Sequence, residues 1–222
     1  MRAYEARGCV AYTLDDITSR NRKFGLSSFA SCFCGLSYFC CLGVEVKMAK
    51  AGFGGGCHWC TEGVFQALRG VAQVDQGFLK SDAPADTWSE GVVVTFDPSV
   101  IPLATLSEVH LRTHSSTRVR PLRSKYRSAI YIFEDGQRHD AELAIDRFIL
   151  SYGKAVHTLV LPFRTFRESD VRYQNYYRTD PSRPFCRRYI DPKLEHIRRH
   201  FSELALPQRN LSSKEAKEYN SS

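Results

Sequence analysis

Apolar positions along the chain follow two spacings. Residues 48–53 are short and apolar enough for a strand, and they run into Gly54, Gly55 and Gly56. From Cys57 onward, Val64, Phe65 and Leu68 share one helical face, and that pattern stops at Gly70. "VAQVDQGFL" (71–79) reads as a strand, and "KSDAPADTW" (80–88), polar with a proline, as a loop. "EGVVVTFD" (90–97) is a β-branched strand. Leu103, Leu106, Val109 and Leu111 lie near helical spacing across 101–114, and a basic loop follows over 115–125. "YRSAIYIF" (126–133) predicts a strand, residues 136–153 an amphipathic helix, and "HTLVLPF" (157–163) another strand. Helical segments are predicted over 168–178 and 191–204. This order predicts one α+β domain over residues 48–206. It is a two-layer sandwich with a mixed, mostly antiparallel sheet, flanking helices and a ferredoxin-like core. The polar tail over 207–222 is expected to fray.

The first 47 residues do not fit that pattern. "RNRKFGLSSFASCFCGLSYFCCLGV" (20–44) has a basic start and an apolar run, superficially like a targeting or anchoring segment. Ser and Gly interrupt the run, and it is weaker than a spanning helix needs. Met48 and the residues after it read like a natural start, so 1–47 is taken as a non-conforming extension. Five of the eight cysteines lie in it, leaving Cys57, Cys60 and Cys186 downstream. That is no disulfide framework; it suits a reducing, cytoplasmic compartment and a reactive thiol. The net charge is +7. The arginines are scattered among acids and aromatics without a nucleic-acid motif, so no nucleic-acid partner is expected.

The chemistry concentrates in "FGGGCHWCTEGVF" (53–65). Cys57 follows a glycine turn and opens a helix, where free amides and the positive dipole end favour a thiolate. A structural cysteine in a tight turn is the plainer alternative. Cys60, one turn on, is either a dithiol partner or a small core residue. A zinc site needs four ligands and usually a second close cysteine pair, which is missing. His110 with His114, and His196 with His200, stand four apart on predicted helices. Neither pair carries the adjacent Glu of HExxH, so solvated or locally bonded histidines are expected. Periodicity alone makes Glu90 an exposed strand-end acid. Were it instead buried at a core edge, it could donate a proton near neutrality.

"GGGCHWCTEGVFQALRGV", "EGVVVTFDPSVI" and "KYRSAIY" together resemble the methionine sulfoxide reductase A family, the peptide-methionine (S)-S-oxide reductases. Gly56, Cys57, Trp59 and Glu62 fit its G-C-F-W-x-x-E motif. Glu90 stands seven residues before Asp97-Pro98, and Tyr126 opens the last motif. "VRYQNYYRTDPSRPFC" is a weaker match that places Cys186 where a resolving cysteine commonly sits. The resemblance implies that Cys57 attacks the sulfoxide sulfur, Glu90 protonates the oxygen and Tyr126 hydrogen-bonds it. Trp59, with His58 in place of the motif Phe, would line the methyl pocket. Cys186 or Cys60 would resolve the sulfenic acid, and thioredoxin would restore the enzyme. No metal or organic cofactor is implied, no membrane is needed by the domain, and a monomer is expected. A thioredoxin-like dithiol oxidoreductase using Cys57 and Cys60 is the alternative.

Departures from the family pattern accompany the matches. Besides His58, the segment between Gly77 and Glu90 is shortened and loses a second oxygen-site Tyr, with Trp88 the nearby aromatic. The family's H-D-P is His114-Ser115-Ser116, and an expected Asp is Pro121. A missing hydrogen bond in such a site costs on the order of 10² in rate.

Overall fold

The computed structural model describes residues 47–207. The expectations for 1–47, apart from Lys47, and for the tail beyond residue 207 fall outside the described residues. Strand β1 (Ala49–Gly54), helix α1 (His58–Gln66), β2 (Val71–Lys80), β3 (Ser89–Phe96), α2 (Leu103–Thr113) and β4 (Ala129–Ile132) form a βαββαβ unit. Its strands lie in the order β4-β1-β3-β2, all antiparallel, the ferredoxin-like arrangement. Helix α3 (Gln137–Tyr152) leads to β5 (Leu159–Pro162), which adds parallel to β4, and β6 (Thr165–Glu168) adds antiparallel to β2. The sheet is therefore six-stranded, mixed and mostly antiparallel, in the order β5-β4-β1-β3-β2-β6.

Side-chain alternation divides the sheet into two faces. Ala51 and Phe53 of β1 and Val92, Val94 and Phe96 of β3 face the helical layer. There they meet Val64, Phe65 and Leu68 from α1, Leu106 and Val109 from α2, and Leu194 and Ile197 from α5 (Asp191–His200). Val93, Leu79, Ala129 and Tyr131 form a smaller cluster with partly buried aromatics on the opposite side. Burial on both faces explains why β3 reads as an unbroken apolar run.

Three boundaries differ from the sequence pattern. The strand predicted from residue 126 starts at Ala129, because Arg127 turns inward and is almost fully buried. Its guanidinium donates to Tyr131 Oη at 3.0 Å, to Thr87 Oγ1 at 2.9 Å and to the Leu122 carbonyl, which holds 122–128 as a loop. The helix predicted over 168–178 is replaced by the end of β6, a 3₁₀ turn (Val171–Tyr173) and the single turn α4 (Tyr176–Thr179). Asn175, left-handed at φ 54°, breaks the run. The helix predicted over 191–204 ends at His200 and is preceded by a π-turn over Cys186–Ile190. Among the described residues no helix is long and apolar enough to cross a membrane.

Phe53 is fully buried and packs on Phe65 with ring centroids 4.4 Å apart. Phe53→Ala should lower the unfolding free energy by about 3–5 kcal/mol, read from urea denaturation with an unchanged m-value.

Candidate active site

The turn out of β1 delivers Cys57 as the N-cap of α1, with extended backbone angles (φ −61°, ψ 126°). Gly55 makes that turn possible: its φ is +153°, and a Cβ there would stand 2.4 Å from His114 Cδ2. The Cys57 carbonyl accepts from the Cys60 amide at 3.1 Å and from Thr61 N at 3.3 Å. Cys60 is thus the N3 residue. N-cap and N3 side chains meet over the first turn of a helix, the geometry that lets a capping box close. The neighbouring Cys60 thiol, followed by the amides of Trp59 and Cys60, lowers the Cys57 pKa against burial and the nearby Glu90 charge. The adjoining Cys57, with burial, raises the Cys60 pKa far above the ordinary thiol range. Of the pair, Cys57 is the one whose ionised form is favoured. Cys186, 0 % exposed on the π-turn, points its thiol at the Asp180 carbonyl at 3.5 Å, and burial pushes its pKa up to about 11.

Glu90 is not the exposed strand-end acid that periodicity alone suggests. It pairs with Phe78 across β2 and β3 and is 6 % exposed. Its Oε2 accepts from the His58 amide at 3.4 Å, and its Oε1 pairs with Lys125 Nζ at 2.9 Å. The His58 ring is buried against Phe78, with Nδ1 3.3 Å from the Gly77 carbonyl. A carbonyl only accepts, so Nδ1 carries the hydrogen, and the Nε2 lone pair lies 3.9 Å from Glu90 Oε2. Burial lowers the His58 pKa, so the ring is neutral at pH 7. Tyr126 is half-buried, its amide donates to Ser124 Oγ at 3.1 Å, and Lys125 Nζ stands 5.3 Å over its ring. Lys125 therefore links Glu90 to Tyr126. Residue patterns had not singled it out; its place directly before Tyr126 was the available signal.

Trp59 stacks on Tyr176 at 4.1 Å with planes 6° apart and meets Phe185 edge-on at 5.5 Å. Glu62 explains how that cover is held. Its buried carboxylate accepts from the Asn175 amide at 2.6 Å and the Tyr176 amide at 3.0 Å, so α1 grips the turn that carries Tyr176. Trp88 lies under Lys80 and Arg167, 4.5 and 4.8 Å from its ring centre.

Beneath the glycine turn, His110 and His114 form a directed chain. His110 Nε2 donates to the Gly54 carbonyl at 2.9 Å, so that nitrogen holds a hydrogen. His114 Nδ1 donates to the His110 carbonyl at 2.5 Å, leaving Nε2 to accept from Ser128 Oγ at 2.7 Å. His110 is buried and His114 half-buried, and both are locally bonded. His196 and His200 stack at 4.2 Å on α5, outside this chain.

The peptide methionine sulfoxide reductase family profile matches residues 49–205. The chain belongs to this family. It is 35% identical over 167 residues to a peptide methionine sulfoxide reductase MsrA of Thermus thermophilus, covering 69% of this chain and 95% of that one. The Sulfolobus acidocaldarius MsrA is 33% identical over 172 residues, covering 71% and 98%. The reduced form of Mxr1 from Saccharomyces cerevisiae superposes with a TM-score of 0.55 at 20% identity, covering 64% of this chain and 91% of that one, a likeness of fold. Membership in the reductase family displaces the thioredoxin-like alternative.

In this reductase both turn histidines are held neutral, His110 well below the usual range and His114 at about 4, each mainly by burial. Unfolded histidine titrates near 6.5, so the unfolded chain binds more protons as pH falls, and stability is lost from about pH 6.5 down to about 4. His114 alone should cost about 3 kcal/mol between pH 7 and 4. Urea unfolding at both pH values should show that loss shrinking by this amount in His114→Gln.

Proposed function

We propose that the chain reduces the S-epimer of methionine sulfoxide, free or in proteins, to methionine, with Cys57 as nucleophile. The observation that carries this reading is Cys57 capping α1 with Cys60 at N3, its ionised form favoured there, and the Glu90 carboxyl on the amide of the next residue. The thiolate attacks the sulfoxide sulfur while Glu90 gives a proton to its oxygen. Sulfur is reduced by two electrons, Cys57 becomes a sulfenic acid, and methionine leaves. The neutral His58 sets its Nε2 lone pair 3.9 Å from Glu90 Oε2, facing the acid. The Tyr126 hydroxyl and the Lys125 ammonium donate to the sulfoxide oxygen, which fills part of an oxygen shell thinned by the loss of a Tyr and an Asp. His58 and Trp59 wall the methyl group.

Cys60 is the better candidate to resolve Cys57. It sits at N3 on the same helical turn as Cys57, whereas Cys186 is fully buried and bonded to Asp180. Condensation releases water and forms a disulfide, and a dithiol such as thioredoxin returns the two electrons. The reaction as written requires no metal or organic cofactor. The enzyme is proposed to work as a monomer in a reducing cytoplasm.

Reduction of a dabsylated methionine S-sulfoxide by the full chain with dithiothreitol tests the role of Cys57. Cys57→Ser should abolish turnover, and unaltered activity in that variant would sink the assignment.

A further inference from the structure

A cavity of about 200 Å³ opens on Cys57 and Cys60 without involving Glu90, Trp59, His58 or Tyr126. Its remaining walls include the Gly55-Gly56 turn, His114, Arg120 and Lys193. No carboxylate lines it. Lys193, on α5, reaches the end of α2 and donates to the Thr113 carbonyl, which leaves two of its ammonium hydrogens unused. Its pKa is lowered by burial and drawn back up by the neighbouring cysteine pair. Arg120 Nε is buried without a hydrogen-bond partner. His114 is neutral and adds no charge.

In the reduced protein Cys57, whose ionised form is favoured, is the lining side chain that supplies an anion opposite Lys193 and Arg120. Oxidation removes that anion, because neither a sulfenic acid nor a disulfide carries its charge. The cavity then holds two cations with nothing to balance them. We propose that this cavity receives small thiols bearing a carboxylate, and that it does so selectively once Cys57 is oxidised. The inference rests on the reading of Cys57 and Cys60 as the redox pair.

The carboxylate pairs with Arg120 while Lys193 draws the ligand's thiolate towards the sulfurs. That thiolate attacks one sulfur of the Cys57–Cys60 disulfide, forms a mixed disulfide and releases the other as a thiolate. A second equivalent attacks the mixed disulfide, leaves as half of an external disulfide, and frees the remaining cysteine. Two thiolates lose one electron each, the protein pair gains two, and solvent supplies the proton that Cys60 regains.

The test starts by oxidising the full chain with methionine sulfoxide and quantifying the methionine formed. Free thiol is then followed as it returns under 3-mercaptopropionate, 2-mercaptoethanol or cysteamine, each rate divided by that thiol's rate with a free reference disulfide. Wild type should favour 3-mercaptopropionate over 2-mercaptoethanol by about tenfold at low salt, disfavour cysteamine, and lose the preference as salt rises. Lys193→Met and Arg120→Gln should each reduce the ratio, and Lys193→Arg should restore it. A wild-type ratio near one, measured on protein that has not been mutated, would overturn the proposal. So would a ratio that neither charge-removing variant changes. If no methionine forms in the oxidation step, the reading of the redox pair fails and this inference fails with it. Methionine release followed by charge-blind reduction would refute the cavity's role alone.

Discussion

Everything at the site depends on one residue ending one element and beginning the next. Cys57 is the last extended residue after β1 and the cap of α1. That position sets the residue at the free amides of the helix start, with Cys60 at N3 of the same turn. A cysteine inside the helix would lack those donors. The position is fixed from below by the His110–Gly54 and His114–Ser128 bonds, and Gly55 is the residue whose missing Cβ leaves room for the His114 ring. The sheet contributes by register: pairing of β1 with β3 and of β2 with β3 sets Glu90 beside the first residue of the helix.

The surroundings of the pair are chemically unlike. Glu90, His58, Lys125 and Tyr126 form a connected set that can move a proton and hold an oxygen. The cavity lined by Lys193 and Arg120 has cations and no acid. With these two environments Cys57, the proposed nucleophile, suits a cycle of two halves, one consuming a proton at a sulfoxide and the other receiving electrons from a thiolate. Glu62 ties the halves to one scaffold: its carboxylate fixes the turn at Asn175 and Tyr176, and with it the aromatic cover of Trp59.

The fold was legible because hydrophobic period and glycine placement agreed at each step from β1 to β4, and local signals that agree with the tertiary arrangement are the readable ones. The misses have tertiary causes. Nothing local announces that Arg127 will turn inward and shorten β4, or that a carboxylate on α1 will capture the 175–176 turn in place of a continuous helix. Within the site, the Cys57 motif was visible in the sequence, while the burial of Glu90 was not, because it depends on strands and loops from both sides. Lys125 escaped notice for a related reason. A lysine in a basic loop looks solvated until the fold brings Glu90 to it. The neutrality of His58 likewise follows from its burial in the fold, beside the Gly77 carbonyl nineteen residues away in sequence.

The central claim is that the N-cap and N3 cysteines act as one unit, with Cys60 poised to resolve Cys57. The most direct measurement is the disulfide trapped by alkylation and read by peptide mass spectrometry after one equivalent of methionine sulfoxide and no added reductant. The account expects a peptide linking Cys57 to Cys60, with Cys186 alkylated as a free thiol only after unfolding. A Cys57–Cys186 link formed as the first disulfide, with Cys60 still free, would contradict it.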